Sequence, residues 1–469
     1  MESSSIAGVS ERALRSAGVC QQLHWLAAGR IDAARLSDCH LAAIERENPR
    51  LNAYVALDRE RTAAQAALAA ARRADGASIG RLDGIPIALK DNLDLAGWAT
   101  TAGLSRRRER RASQDAACVE RLRGAGAVIV GKTNLDEAGL GALGNNPHFG
   151  AVQNPWRNGY SAGGSSSGAA AAVAAGLCSA AIGSDSLGSL RIPASHCGVF
   201  ALKPTHGQIS TRGMVPAARR LDTIGILARG VNDLVVLLQV LAGHDPADPR
   251  SRQRRVDLAL PDWEPGRLRC GTLPNLAALG VAPAVIEVFE SILSNLRQEL
   301  GQRSIVNLYD YSFEKARRAG LLLIEAEMLG TFAEDLADTS QPVSANLRGL
   351  LDFARGKSAA DYVNADRMLD ASVLKARRMF AEVDVLLLPT VPQGPQLLAD
   401  GEPPNSALLT AFASLAGCPA LSIPMGRLPD GMPIGLQMVG PPGSDLRLLE
   451  LAEVCAAALD ATPSYPVGS

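Results

Sequence analysis

The sequence predicts an α/β fold, and three observations point to it. Ile85–Leu89 and Ala127–Val130 are short apolar segments bounded by glycines, a pattern typical of buried strands. Asp115–Gly124, which lies between them, has a helical pattern. A strand, a helix and a second strand at this spacing favour a layered α/β core with at least some parallel pairing. A chain of 469 residues can bury a large core of this kind.

The remaining elements follow from periodicity. Near the N-terminus, apolar residues recur at a spacing of three to five, and Ser37 is the predicted helix cap before Asp38. Arg59–Arg73 is alanine-rich with arginines on one side, which predicts another helix. Further helices are predicted over 169–177, 231–242, 282–300 and 443–460, and further strands over Val385–Leu388, Ala420–Ile423 and Ile434–Met438.

The chain has no internal repeat, so we expect one α/β domain assembled from four segments. A polar, proline-bearing connector at 244–255 separates a glycine-rich half from a more helical 280–380 region. We predict an N-terminal helical wrap over 1–75, a core over 76–245, a connector and helical insertion over 246–380, and strands and a helix over 381–469 that complete the core.

Composition excludes several function classes. Charge is nearly balanced, with 47 Lys and Arg against 48 Asp and Glu, which argues against a dominant role in binding nucleic acid or acidic lipid. The arginine clusters Arg106–Arg111 and Arg252–Arg255 are short and are interpreted as solvated loops. We therefore expect no nucleic-acid partner and no membrane partner.

The cysteines, the N-terminus and the lengths of the apolar runs indicate the cellular compartment to expect. The eight cysteines form no CxxC pair and no Cys/His cluster at zinc spacing, which predicts buried thiols in a reducing compartment. We expect no metal and no other cofactor. The N-terminus lacks the apolar core of a signal peptide, and no uninterrupted run of 18 apolar residues occurs. A cytoplasmic location is therefore expected.

The candidate chemistry lies in a Gly/Ser-rich stretch from Gly159 to Gly207 and in the upstream segment GIPIALKDN. The stretch offers Ser165 and Ser189 as hydroxyl groups among many backbone N–H donors, and the upstream segment offers Lys90. Together they could form a hydrolytic site that needs neither metal nor histidine. A Gly/Ser-rich loop is most often a flexible linker. Here it runs directly into an apolar helical stretch, and Asp185 and Arg191 flank Ser189 as expected structural anchors, which favours a fixed loop.

Two other motifs fit the same region poorly. Gly126–Thr133 matches GxxxxGK[ST], but its four middle residues are Ala-Val-Ile-Val, which are themselves the predicted strand and not a phosphate cradle. Gly164–Gly168 matches GxSxG with Ser166 as nucleophile, but that motif needs a preceding strand and a later histidine. All six histidines lie at or before His244. Nucleotide binding and the α/β-hydrolase mechanism are both disfavoured.

The segments GIPIALKDN, GKTNLDE, GGSSSG, GSDSLGSLRIPASHCGVFALKPTHG and DGMPIGLQMVGPP occur in the order of the amidase signature family, which the chain resembles from about residue 35 to 455. The resemblance implies a central twisted mixed β-sheet surrounded by α-helices. It also implies a Ser–cisSer–Lys triad that hydrolyses or transfers amides. Lys90 takes the place of the lysine, Ser165 that of the middle serine after a cis peptide bond, and Ser189 that of the nucleophile. The loop near Gly139 takes the place of one that lines the substrate site.

The chemistry sets demands on these residues. Lys90 can act as a base only when neutral, so its pKa must fall from about 10.4 to roughly 7–8, and the preceding apolar run is a credible desolvating wall. Ser165 would relay a proton between Lys90 and Ser189. The backbone amides of the turn are candidates for an oxyanion hole. The residues concerned are Ser186, Leu187, Gly188 and Ser189.

Leu187 stands where the family usually has a glycine, and positive φ there would strain it. The main interpretation is a stand-alone hydrolase that cleaves a small-molecule amide through a seryl acyl-enzyme, with a homodimer as the expected assembly. One alternative is the glutaminase (A) component of a tRNA-dependent amidotransferase, although the segment IPASHCGV departs from the usual sequence of that component. The other is a non-catalytic relative that binds an amide, which Leu187 motivates. The sequence does not identify the amide.

Overall fold

The computed structural model describes residues 9–252, 267–306, 308, 310–340 and 342–459. The end of the predicted connector and most of the arginine cluster at 252–255 lie outside these residues.

One sheet of eleven strands organises the described chain, in the order β1-β3-β2-β4-β6-β5-β10-β11-β9-β7-β8. Strand β2 is parallel to both β3 and β4, and β7 is parallel to both β8 and β9, whereas the other neighbours are antiparallel. The strands are β1 Tyr54–Leu57, β2 Pro86–Lys90, β3 Val128–Thr133, β4 Ala180–Asp185, β5 Phe200–Lys203, β6 Thr223–Ala228, β7 Arg269–Thr272, β8 Gln302–Ile305, β9 Val385–Pro389, β10 Ala420–Arg427 and β11 Pro433–Val439.

Helices surround this sheet, and the longest that the structure describes, α14 with 24 residues, lies almost entirely in the region predicted as a helical insertion. In the described ranges they are α1 Glu11–Ser16, α2 Val19–Ala27, α3 Ala33–Leu51, α4 Arg59–Ala74, α5 Ala117–Gly124, α6 Ser167–Ala174, α7 Arg191–Cys197, α8 Val231–Leu241, α9 Pro283–Asn295, α10 Arg297–Leu300, α11 Phe313–Thr331, α12 Ala333–Ala337, α13 Ala345–Arg355, α14 Ala359–Glu382, α15 Leu408–Leu415 and α16 Asp445–Ala458.

The predicted fold class is confirmed: the sheet is large and mixed, and helices cover it. Strands β2 and β3 and helix α5 form the predicted strand–helix–strand unit, with parallel pairing. One local prediction is wrong, because Ser37 is not a helix cap. Helix α3 begins earlier, where Asp32 has extended backbone and its carboxylate accepts a hydrogen bond from Arg35 N at 2.8 Å, so Ser37 lies inside the helix and is buried.

The parallel strands also position the candidate site. Lys90 is the last residue of β2, and Asp185 is the last residue of β4. Because β2 and β4 are parallel neighbours, their carboxyl ends meet at the same edge of the sheet, where α/β folds commonly bind ligands. Helix α6 begins two residues after Ser165, and all eight of its residues are buried.

All eight cysteines are free, and six of them are buried. Among the described residues, no helix is both long and apolar enough to cross a membrane. The same residues contain no cluster of three or more His, Cys, Asp or Glu side chains arranged to hold a metal ion.

Candidate active site

Lys90 is fully buried at the end of β2 and contacts two hydroxyl groups. Its Nζ donates hydrogen bonds to Ser165 Oγ at 2.8 Å and to Ser184 Oγ at 3.1 Å. Burial lowers the pKa of Lys90 to about 7, although three carboxylates oppose this shift. Close to neutral pH, the amine therefore has a substantial uncharged fraction and can take up a proton. The carboxylates belong to Asp136, Asp185 and Asp222.

Ser184 is a functional neighbour that sequence reasoning missed. Its Oγ accepts hydrogen bonds from Lys90 Nζ and from Asn92 Nδ2, the latter at 2.9 Å. It lies next to the last residue of β4, and Lys90 ends the adjacent parallel strand β2. The predicted strand at Ile85–Leu89 located Lys90, but the small residues of β4 gave no strand signal, so this neighbour could not be placed.

Ser165 is buried between the lysine and the turn that carries Ser189. The peptide bond between Gly164 and Ser165 is cis. The next residue, Ser166, donates its backbone N–H to the Ser189 carbonyl at 3.0 Å, which holds the two serine-bearing loops side by side. Lys90, Ser165 and the Ser189 turn are thus brought together at one edge of the sheet.

The turn after β4 presents a group of backbone amides. In the described part of the chain, the N–H groups of Ser186, Leu187, Gly188 and Ser189 donate to no protein acceptor. These four residues, the amide row, line the same cavity. Consecutive amides that are not bound to protein form a site suited to an anion or a developing oxyanion.

Leu187 does not carry the strain that positive φ would impose. Among the described non-glycine residues, positive φ occurs at Asn52, Ala102 and Ala138, and Leu187 is not one of them. Its side chain is buried in an apolar cluster with residues of α11 and α15, and its carbonyl accepts a hydrogen bond from Thr410 Oγ1 at 2.6 Å. The leucine therefore fixes the turn to neighbouring helices and leaves the amide row intact.

Asp185 and Arg191 form a fully buried, bidentate ion pair with two contacts of 2.9 Å. Arg191 also donates to the Thr410 carbonyl at 2.8 Å and to Gln437 Oε1 at 2.6 Å. Leu190 N donates to Asp185 Oδ2 at 3.2 Å, so the pair holds the end of the amide-bearing turn.

Asp136 is a second residue that sequence reasoning missed. It is buried beneath the loop that carries Gly139, and its carboxylate accepts from Gly144 N at 3.0 Å. Burial raises the pKa of Asp136 to about 7. Gly139 lines the cavity, and its own N–H donates to the Asp136 carbonyl at 2.8 Å.

A cavity of about 310 Å³ lies against Gly139 and the amide row, whereas Lys90 and Ser165 are buried and are not among its lining residues. It is lined in part by Gly139, by the four residues of the amide row, by residues of α11 and α13, and by 402–404 and 407. A larger cavity of about 680 Å³ lies elsewhere, lined in part by Arg220, Arg377 and Phe380. No predicted site residue lines that cavity, so the residue chemistry, and not the volume, identifies the candidate site.

Comparison with known proteins defines the class. The family model described as "Amidase" matches residues 38–449. The chain therefore belongs to the amidase signature family, and the family resemblance drawn from its motifs is confirmed. It is an enzyme of a family whose members act on amide C–N bonds.

Individual relatives allow a more specific comparison than the family model does. The chain is 36% identical over 457 residues to the A subunit of the glutamyl-tRNA(Gln) amidotransferase from Thiobacillus denitrificans, covering 91% of this chain and 94% of the relative. It is 35% identical over 458 residues to the protein of the same name from Thermosynechococcus vestitus, covering 90% and 94%.

Solved structures agree on the fold. The peptide amidase of Stenotrophomonas maltophilia superposes with a TM-score of 0.83 at 30% identity, covering 96% of this chain and 98% of that one. A protein from a complex that bears on the origins of an s-triazine catabolic enzyme superposes with a TM-score of 0.86 at 30% identity, covering 94% and 98%. The A subunit of the glutamyl-tRNA(Gln) amidotransferase from Thermotoga maritima superposes with a TM-score of 0.79 at 26% identity, covering 94% of each chain.

These relatives correct the expectation about partners. We expected a small-molecule amide as substrate, no nucleic acid and a homodimer, and that expectation is contradicted. The curated relatives are components of enzymes named for glutamyl-tRNA(Gln). The charge argument was wrong because net charge, averaged over a whole chain, reports neither a local surface nor a partner protein.

Proposed function

We propose that this chain cleaves a carboxylic amide through an acyl-enzyme on Ser189. Neutral Lys90 takes the proton of the Ser165 hydroxyl as Ser165 takes the proton of Ser189. Ser189 Oγ then forms a bond to the amide carbon. The negative charge that develops on the carbonyl oxygen is stabilised by the amide row at 186–189.

The second half of the reaction returns the protons. The protonated Lys90 donates through Ser165 to the amide nitrogen, the C–N bond breaks, and ammonia or an amine leaves. Water then attacks the acyl carbon, and its proton passes through Ser165 to Lys90. The bond between the acyl carbon and Ser189 Oγ breaks, that proton returns through Ser165 to Ser189 Oγ, and the carboxylic acid leaves with Lys90 neutral again. The observation that carries this proposal is the 2.8 Å contact between buried Lys90 Nζ and Ser165 Oγ beside the Ser189 turn.

The curated relatives favour one setting for this chemistry: the glutaminase (A) component of a tRNA-dependent amidotransferase. In that setting, ammonia released from glutamine passes to a partner protein. The setting predicts stable association with other components and measurable ammonia release from glutamine by the assembled enzyme.

A stand-alone amidase is the second candidate, and a specific observation favours it. The peptide amidase superposes more closely than the amidotransferase component, with TM-scores of 0.83 and 0.79. This candidate predicts turnover of simple amides by the isolated chain. Co-purification from the native source, combined with an ammonia assay on glutamine with and without captured partners, separates the two settings.

The catalytic proposal itself is tested by Ser189→Ala and by labelling with a serine-directed fluorophosphonate. We expect the variant to lose amide turnover and the wild-type adduct to map to Ser189. The matched control is Ser294→Ala, because Ser294 is exposed on α9 and bonds only to its own helix. Full activity in Ser189→Ala, or an adduct mapped to another serine, would refute the assignment. Absence of any adduct would favour the non-catalytic alternative.

A further inference from the structure

The part of the active-site cavity that α11 forms carries an acid that the proposed chemistry does not use. Glu325 lies on α11 and lines the cavity together with Leu321 and Ile324. Leu321 lies one helical turn before Glu325 and Ile324 is its neighbour, so the three residues present one side of the helix to the cavity. Glu325 is therefore a carboxyl group that faces the cavity beside two apolar side chains of the same helix.

The surroundings of Glu325 leave it without compensation. Only 4% of its surface is exposed, and its Oε2 is buried with no hydrogen-bond partner in the described part of the chain. A buried carboxyl oxygen without a partner is costly, and native structures usually satisfy such atoms. Burial alone raises the pKa of Glu325 to about 7, which means that no nearby positive side chain stabilises its charged form.

Two other charged side chains of the cavity, Arg317 and Glu402, interact with each other, although Arg317 Nε is buried without a hydrogen-bond partner in the described part of the chain. Burial raises the pKa of the Glu402 carboxyl, and Arg317, two turns earlier on α11 than Glu325, opposes that rise through its positive charge. The Glu402 carboxylate also accepts a hydrogen bond from Ala142 N at 2.8 Å. Glu325 is thus the cavity acid whose partner is missing from the described protein atoms.

We propose that Glu325 is a specificity-determining residue that binds an N–H-donating group on the substrate, at the end away from the bond that is cleaved. The inference rests on the proposed function, because it assigns the amide row to the reacting end of the substrate. The apolar side chains beside Glu325 contact the aliphatic part between the two ends. The substrate class is an amide with a short aliphatic chain that ends in an ammonium or a neutral amide.

The test uses binding to the Ser189→Ala protein, so that it does not depend on turnover. The probes are δ-aminovaleramide, which ends in an ammonium, and hexanamide, which replaces that ammonium by a methyl group. Adipamide and adipamic acid place a neutral amide and a carboxylate at the same end. Affinities are measured by calorimetry at a pH above 7, with and without the further change Glu325→Gln.

We expect δ-aminovaleramide to bind at least tenfold more tightly than hexanamide, and we expect Glu325→Gln to remove that difference. Hexanamide affinity stays the same in the Glu325→Gln protein, which shows that the cavity is intact. Adipamide distinguishes the two donor types: affinity equal to that of δ-aminovaleramide identifies an N–H donor in general, and weaker affinity identifies a cation. The control Glu314→Gln, an exposed acid on the same helix, leaves all affinities unchanged.

Equal binding of δ-aminovaleramide and hexanamide, or tightest binding of adipamic acid, would overturn this inference. So would an equal loss for every probe in the Glu325→Gln protein. These outcomes are distinct from a failure of the proposed function, which would appear as retained amide turnover in Ser189→Ala with Glu325 unchanged.

Discussion

At the scale of single residues, the site depends on how a buried lysine holds its charge. Desolvation disfavours the ammonium of Lys90, and three acidic side chains favour it. The pKa near 7 is the balance of these effects. If the acids were absent, the amine would be a weaker base, and if the apolar wall were absent, it would remain protonated and could not accept a proton.

The first prediction concerns pH. Because neutral Lys90 is the proposed base, kcat/KM rises with pH and levels off above about 7, and below that value it falls about tenfold per pH unit. Lys90→Ala lowers kcat by about 10²–10⁴-fold. Steady-state rates across pH test both statements. A flat profile from pH 5 to 9, or a Lys90→Ala enzyme with wild-type kcat, would contradict the assigned base.

The second prediction concerns Ser184→Ala. The Ser184 hydroxyl accepts hydrogen bonds from Lys90 and Asn92, so its removal leaves two buried donors without that acceptor. The loss destabilises the protein by about 1–3 kcal/mol. It also disfavours the ammonium form of Lys90, so the acidic limb of the pH–rate profile moves to lower pH. If Ser184→Ala lowers stability but leaves the acidic limb of the pH–rate profile at the same pH, Ser184 has a structural role only.

At the scale of elements, the turn from β4 into α7 joins the amide row to its supports. Gly188 has φ of +147°, and a Cβ at that position would lie 2.3 Å from Thr410 Oγ1. Thr410 is also the donor to the Leu187 carbonyl. Backbone conformation and packing against α15 therefore fix the turn jointly, and a single added methyl group disturbs both.

The third prediction follows from this turn. Gly188→Ala displaces the amide row and lowers kcat by about 10²–10³-fold, the usual cost of losing one oxyanion donor. Circular dichroism should show a folded protein. The matched control is Gly349→Ala in α13, where an added Cβ meets no atom within 4 Å. Comparable kcat losses in the two variants would show that the effect does not arise at the turn.

At the scale of the whole molecule, the buried Asp185–Arg191 pair connects segments that are distant in the chain. Arg191 reaches the Thr410 carbonyl, Ser414 Oγ and Gln437 Oε1, so it ties β4 and α7 to α15 and β11. An ion pair that is removed from water gains little in net stability while both partners are present. Breaking it is expensive, because one charge is left buried alone.

The fourth prediction states the size of this effect. Arg191→Met lowers the free energy of unfolding by about 3–5 kcal/mol, since Asp185 loses its partner. Arg318→Met serves as the control, because the Arg318–Glu314 pair is exposed and contributes about 0.3–0.5 kcal/mol. Chemical denaturation measures both variants. A small and equal change in the two proteins would contradict the anchoring role of the buried pair.

Sequence patterns predicted the parts of the fold whose periodicity is strong. Strands β2, β3 and β9 were predicted because apolar runs meet glycine or proline. Strand β4 was missed because alanine, glycine and serine give no strand signal. It is part of the sheet because it pairs with β2 and β6. Lys90, Ser165 and Ser189 were predicted from motifs, but Glu325 was not, because the run LLLIEAEM holds two acids, Glu325 and Glu327, and the sequence does not show which of them is buried.

Helix α6 shows what a crowded interior means for sequence variation. It consists of serine, glycine, alanine and one valine, and a Cβ at Gly168 would lie 2.3 Å from the Ala53 carbonyl oxygen. In a saturation mutagenesis screen, this octapeptide should tolerate substitution as poorly as the proposed catalytic serines, although the proposed mechanism assigns none of its atoms to bond cleavage. A survey that ranked positions by intolerance alone would mistake steric crowding for chemistry.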